Sequence, residues 1–169
     1  AELRIGLPDD FSTDVGPVID LPARLRIDAY VDVMRANRHR ILSRSLPDEC
    51  AQGWFVAPTL IEIPSPDDLR QEVFGPVLHV VRYESASLDA VLDAIGAQGY
   101  GLTLGIQSRI DDFVQHVIGR MKVGNIYVNR SMIGAVVGVQ PFGGEGLSGT
   151  GPKAGGPLSL RRLVRGAPL

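Results

Sequence analysis

The sequence predicts an α/β fold, and three observations carry that expectation. Apolar, β-branched runs alternate with amphipathic stretches of helical period from Val77 to Asn129. Of the 169 residues, 44% are hydrophobic and 21% charged, close to the balance of a globular protein. The length suits one ordinary domain or a large piece of a bigger one.

The first twenty residues read as loop, because Leu7-Pro8-Asp9-Asp10 and Thr13-Asp14-Val15-Gly16-Pro17 carry turn chemistry. A helix is expected from Pro22 to Asn37. Leu25, Ala29, Val33 and Ala36 recur at helical spacing, Ile27 and Met34 lie a heptad apart, and Pro22 suits a first turn. Arg40 to Leu46 reads as a strand. Gly53 to Ile61 reads as extended, with Pro58 at an edge or strand end. Val77 to Tyr83 is β-rich. Leu88 to Ile95 is an amphipathic helix with Ser87 as its N-cap. Leu102 to Ile106 is a short strand. Asp111 to Met121 is a helix with Phe113, Val114, Val117, Ile118 and Met121 on one face, and Asn125 to Asn129 is a further strand. Strand, helix, strand, helix, strand at this spacing predicts βαβ crossovers and a parallel sheet. From Arg130 to Pro157 no period is visible, and ten of the twenty glycines lie between Gly124 and Gly156. A loop this long inside a domain is usually functional. Leu158 to Val164 alternates enough for a strand.

Several classes of function are disfavoured. The long uncharged stretch Ser131 to Gly144 holds four glycines, a proline and a glutamine, so no membrane span is expected there. A net charge of −2 without a basic run argues against nucleic acid. The acidic, mixed N-terminal stretch resembles neither a signal nor a transit peptide. A single cysteine makes neither an internal disulfide nor a zinc site, and it suits a reducing compartment. Cys50 follows Asp48 and Glu49, whose carboxylates raise a thiol pKa, so it reads as incidental rather than nucleophilic. His39, His79 and His116 are scattered, without metal-ligand spacing, and read as solvated or structural. No nucleophile elbow or phosphate loop is present.

Two segments could carry chemistry. In Glu72-Val73-Phe74-Gly75-Pro76 a carboxylate and an aromatic precede a Gly-Pro turn and a strand. A carboxylate can accept both hydrogen bonds of a vicinal diol such as ribose, and a phenyl ring can lie against a flat heterocycle. The same residues also suit a helix-end acid and a core phenylalanine. In Ile133 to Gly146, glycines permit close backbone approach, and successive N–H groups can form a concavity for a small carboxylate. A loop packed for structural reasons has the same composition.

The two segments together resemble the aldehyde dehydrogenase superfamily. Glu72 to Pro76 is similar to its E-x-F-G-P motif, Gly53 to Leu60 to the preceding G-x-F-x-x-P-T stretch, and Pro141-Phe142-Gly143-Gly144 to its P-F-G-G motif. Tyr100-Gly101-Leu102 and Val123 to Asn129 match intervening landmarks in order. The string from Gly134 to Pro157 resembles the glutamate-semialdehyde (1-pyrroline-5-carboxylate) dehydrogenase branch found in bacterial bifunctional proline-catabolic flavoproteins.

That resemblance implies a catalytic-domain portion over residues 1–157, a twisted, mostly parallel sheet with flanking helices. An oligomerisation-flap strand and tail would follow over residues 158–169. It also implies NAD as cofactor, with FAD confined to the parent's separate proline dehydrogenase domain. Glu72 would hold the nicotinamide-ribose hydroxyls and Phe74 would border the nicotinamide, with Leu102 lining that side. Gly134 and Ala135 would offer N–H groups to the α-carboxylate of L-glutamate γ-semialdehyde, and Phe142 would pack on its aliphatic chain. The family's nucleophilic cysteine, general-base glutamate and Rossmann half lie upstream of the segment that Ala1 resembles. The chain is therefore expected to supply no catalytic residue and no metal ligand, and to be inactive alone. Its expected partners are the rest of the parent chain and a second copy through the C-terminal strand. The expected location is cytoplasmic, with the parent peripheral to the inner membrane. The competing reading is a non-catalytic, aldehyde-dehydrogenase-like assembly module.

Overall fold

The computed structural model describes residues 2–133, 136, 139–149 and 151–164. The chain divides into two compact units, Ala1–Glu84 and Ser85–Leu169.

The first unit is a helix on a three-stranded sheet. Helix α1 spans Leu21–Ala36. The Asp20 carboxylate caps it by accepting from the Ala23 amide at 2.7 Å, and Pro22 occupies the first turn, where its missing N–H costs nothing. The buried stripe is Ala23, Ile27, Val31 and Met34. The stripe of Leu25, Ala29, Val33 and Ala36 expected from spacing is exposed instead. Both stripes have helical period. Spacing sets the period, and the phase is set by the apolar surface the helix meets, here Val56, Ile61 and Ile63.

That surface belongs to strands β1 (Arg40–Ser43), β2 (Thr59–Glu62) and β3 (Val77–Val80), in the order β1-β2-β3. β1 runs antiparallel to β2, with Ile41 opposite Ile61. β3 runs parallel to β2, with Ile61 opposite His79. A smaller cluster of Ile5, Cys50 and Phe55 completes the unit.

Helix α1 ends in a Schellman motif. The His39 amide donates to the Met34 carbonyl at 3.1 Å and the Arg38 amide to Arg35 at 3.0 Å. Arg38 takes φ 64, a position that favours glycine. Arg38→Gly should therefore stabilise the protein by about 0.5–1 kcal/mol, seen as a higher thermal midpoint. An unchanged or lower midpoint would assign the arginine side chain a compensating role.

The second unit is a βαβ motif. β5 (Thr103–Ile106) leads through α3 (Asp111–Arg120) to β6 (Asn125–Val128), and β5 and β6 pair in parallel. Helix α2 (Leu88–Ala97) adds Leu92 to a core made with Ile106, Val114, Val117 and Met121. The expected crossover thus exists between β5 and β6. β3, expected in the same sheet, pairs with β2 in the first unit. Ser87 precedes α2 but makes no capping hydrogen bond, because a 3-10 turn over Ser85–Ser87 already satisfies the approach. The exposed faces of α2 and α3 are tied by His116 to Asp89 at 2.6 Å and by Arg120 to Asp93. The His116 hydrogen bond, with Arg120 adding, holds the Asp89 carboxyl below its ordinary pKa.

Two short strands, β4 (Tyr100–Gly101) and β7 (Glu145–Gly146), pair antiparallel and anchor the glycine-rich segment that the sequence leaves without period. The strand expected over Leu158 to Val164 is instead a turn followed by a 3-10 helix at Leu160–Leu163. A strand needs a ladder partner for its N–H and C=O groups. Here local bonds serve them, from Arg161 N–H to Leu158 and from Val164 N–H to Arg161.

Candidate functional site

Glu72 and Phe74 lie on the connection between β2 and β3, just ahead of β3. That connection opens with a 3-10 turn over Pro66–Asp68, where Ser65 accepts from the Asp67 amide at 3.2 Å. The half-buried Val73 packs on the core of α1, which turns its neighbours Glu72 and Phe74 outward. Gly75 then lies directly on α1, where a Cβ would meet Ile27 Cδ1 at 2.4 Å, so a larger residue would have to displace the end of that side chain. The Pro76 carbonyl accepts from Thr59 N–H at 2.9 Å and fixes the start of β3.

The result is a cleft of about 210 Å³ between Ala23, Arg26 and Tyr30 of α1 and the segment Gln71 to Phe74. The Phe74 side chain is 80% exposed. The Glu72 carboxylate is exposed and forms no hydrogen bond or ion pair with a described residue. A carboxylate without a partner among the described residues can accept the hydrogen bonds of a ribose diol, and an exposed aromatic ring beside it can lie against a flat heterocycle.

Below this cleft the Tyr30 hydroxyl lies 2.8 Å from His79 Nε2, with the two rings edge to face. Burial pushes the His79 imidazole below its ordinary pKa. Burial, with Asp68 adding, pushes the Tyr30 phenol above its own. Both shifts favour the neutral forms, and the contact joins α1 to β3. His116 Nε2 is a hydrogen-bond partner of Asp89. Cys50 is 2% exposed, and burial first and Glu49 second raise its thiol pKa. It sits in a 3-10 turn, and both influences disfavour its thiolate. Among the described residues no group of histidine, cysteine and acidic side chains could hold a metal, and no helix is long and apolar enough to cross a membrane.

In the second unit Phe142 forms a paired bridge with Ala154, its N–H donating at 2.9 Å and its carbonyl accepting at 2.8 Å. This holds a ring that is 40% exposed. Gly134 and Ala135 lie outside the described residues. Leu102 is partly exposed between β4 and β5, and its carbonyl accepts from Asn125 N–H at 3.1 Å.

Sequence reasoning missed the groups that hold Phe142 in place. Asn125 Nδ2 donates to the Pro141 carbonyl at 3.2 Å, Gln140 Nε2 to the Tyr127 hydroxyl at 2.8 Å, and Lys153 Nζ to the Gly124 carbonyl. The available signal was a polar residue opening a buried strand and a tyrosine within it. Each is a side chain whose polar tip needs a partner.

The backbone, the exposed carboxylate and aromatic pair, and the pinned P-F-G-G turn find one family in common. Residues 1–165 match the aldehyde dehydrogenase family, and the chain belongs to it. Among relatives, it is 54% identical to "Bifunctional protein PutA" of Klebsiella aerogenes over 99% of this chain and 13% of that protein. It is 57% identical to the crystal structure of Bradyrhizobium japonicum Proline Utilization A, with a TM-score of 0.85, over 92% of this chain and 16% of the other. A Thermus 1-pyrroline-5-carboxylate dehydrogenase solved with bound NAD is 34% identical, with a TM-score of 0.79, over 92% of this chain and 30% of the other. The chain thus spans a small part of the relatives it matches.

Proposed function

We propose that this chain is the C-terminal portion of an NAD-dependent L-glutamate γ-semialdehyde dehydrogenase module within a bifunctional proline-catabolic enzyme. The observation that carries the reading is the unpaired Glu72 carboxylate beside the exposed Phe74 ring, in a chain of the aldehyde dehydrogenase family. Similarity to PutA proteins and to an NAD-bound relative supports the choice of substrate and cofactor.

In this reading NAD accepts the hydride released when an aldehyde is oxidised to an acid. Glu72 accepts hydrogen bonds from the ribose diol and so fixes the depth of the nicotinamide. Phe74 covers one face of that ring and keeps water from it. Gly134 and Ala135 donate N–H groups to the substrate α-carboxylate, and Phe142 packs along its methylenes, so the aldehyde end is aimed away from this wall. The thiol that attacks the aldehyde comes from the rest of the parent chain, as does the flavin site for proline oxidation.

Residues 158–169 form the interface with a second copy. The exposed Leu158, Leu160, Leu163 and Val164 support that role, since apolar side chains in water favour association. The cytoplasm, with the parent peripheral to the inner membrane, is the setting that goes with this enzyme.

The purified chain, given NAD and glutamate semialdehyde, should produce no NADH above the buffer blank, because Cys50 is buried with a raised thiol pKa. NADH formation that Cys50→Ser abolishes would overturn the reading.

A further inference from the structure

We propose that Asn125 and Tyr127 of β6 are positioning residues that set substrate selectivity by fixing where the glycine-rich segment meets Phe142. The inference rests on the proposed role of Gly134, Ala135 and Phe142 in holding the substrate. Two side chains of one strand reach two consecutive residues of that segment. Asn125 Nδ2 holds the Pro141 carbonyl, and the Tyr127 hydroxyl receives Gln140 Nε2. Phe142 follows immediately and is pinned on its far side by the Ala154 bridge.

The anchors are rigid. Tyr127 is 5% exposed within β6, which is laddered to β5 residue by residue, and the Arg130 guanidinium lies 5.3 Å from its ring centroid. Gln140 is partly exposed, so its side chain could be solvated, yet it is committed to the phenol.

Asn125 carries the sharper argument. Its Oδ1 is buried and has no partner among the described residues. A lone buried acceptor is costly, and an apolar residue at this strand position would avoid the cost. What the asparagine supplies in return is the single bond to the Pro141 carbonyl. The arrangement is explained if the position of that carbonyl, and of Phe142 beside it, matters more than the solvation of Oδ1.

The test uses the full-length parent enzyme with two aldehydes, glutamate semialdehyde and propanal, which lacks the carboxylate. Tyr127→Phe keeps the ring and removes only the acceptor. Gln140→Met keeps the length and removes only the donor. Asn125→Asp places a carboxylate oxygen against the Pro141 carbonyl.

Each should raise KM for glutamate semialdehyde by about two- to tenfold, the worth of one neutral hydrogen bond. KM for propanal should stay near wild type, and for Tyr127→Phe and Gln140→Met so should the thermal midpoint. The Tyr127→Phe/Gln140→Met double variant should be no worse than either single one, since both remove the same bond. Ala135→Pro, which strips a donor from the loop itself, serves as reference. If it is selective for glutamate semialdehyde while Tyr127→Phe and Asn125→Asp are not, the positioning role is overturned and the substrate reading stands. Loss on both aldehydes in equal measure, from the β6 variants alone, makes the bonds merely structural and also overturns the role. If Ala135→Pro itself hits both aldehydes equally, the substrate reading fails, and the inference with it.

Discussion

Glu72→Ala in the full-length parent should slow aldehyde oxidation or weaken NAD use by about ten- to a hundredfold while leaving proline oxidation at the separate flavin site intact. A hydrogen bond to a charged acceptor contributes roughly 1.5–3 kcal/mol, which sets that range. The structure sharpens the expectation, because Glu72 is exposed and bonds no described residue. Its removal should leave thermal stability within about 0.5 kcal/mol, the usual range for an exposed substitution. The combination is the signature of a ligand contact: large kinetic loss, no unfolding. Steady-state kinetics of both half-reactions and a melting curve decide it. Unchanged aldehyde kinetics would remove Glu72 from the site.

Gly124→Ala should strongly destabilise the second unit. An added Cβ would lie 1.8 Å from the Gly143 carbonyl oxygen and 2.7 Å from its carbon. Those are backbone atoms, so no rotamer change relieves the clash. The Gly143-Gly144 chain must move by more than an ångström, and it is held by the Phe142–Ala154 bridge and the β4–β7 pair. Overpacking in a core costs about 1–3 kcal/mol even where side chains can shift. A loss of roughly 3 kcal/mol or more is expected here, a large share of the total stability of a domain. Gly119→Ala on α3 is the control. Nothing lies within 4 Å of its added methyl, so it should stabilise by about 0.5–1 kcal/mol. Chemical denaturation of the two variants gives the comparison. Equal midpoints would mean that the two chain segments are not in backbone contact.

Local patterns were legible and long-range commitments were not. The limits of α1 could be read from Asp20, Pro22 and the helical period, yet its buried face could not, since Leu25 and Ile27 both fit the period. The βαβ unit at β5–α3–β6 was legible from alternation. The pairing of β3 with β2 was not, because register is chosen by a partner elsewhere in the chain. Ser87 looks like a cap in any sequence window and lost that role to the 3-10 turn before it. At the candidate site, Glu72 and Phe74 stood out through a motif, whereas spacing alone favoured a helix-end acid and a core phenylalanine. The segment from Ile133 to Gly146 read either as a ligand nest or as a packed loop, and the glycines flanking it prove to be crowded. Gly124 and Gly149 each face a carbonyl oxygen at 1.8 Å from a would-be Cβ. Asn125 escaped notice because its value lies in a contact sixteen residues away.

The parallel pairing of β2 and β3 carries a final consequence. Two parallel neighbours oblige the chain to travel back along the sheet before the second strand can begin. In this protein that return is made without an α-helix, through the 3-10 turn at Pro66–Asp68 and the run that ends at Gly75. Glu72 and Phe74 ride on this return path. It cannot be deleted without breaking the topology, yet its outward side chains are under no packing demand. Geometry is thus inherited from the architecture while chemistry is free to vary. Gln71, Glu72 and Phe74 can change without disturbing a single rung of the ladder.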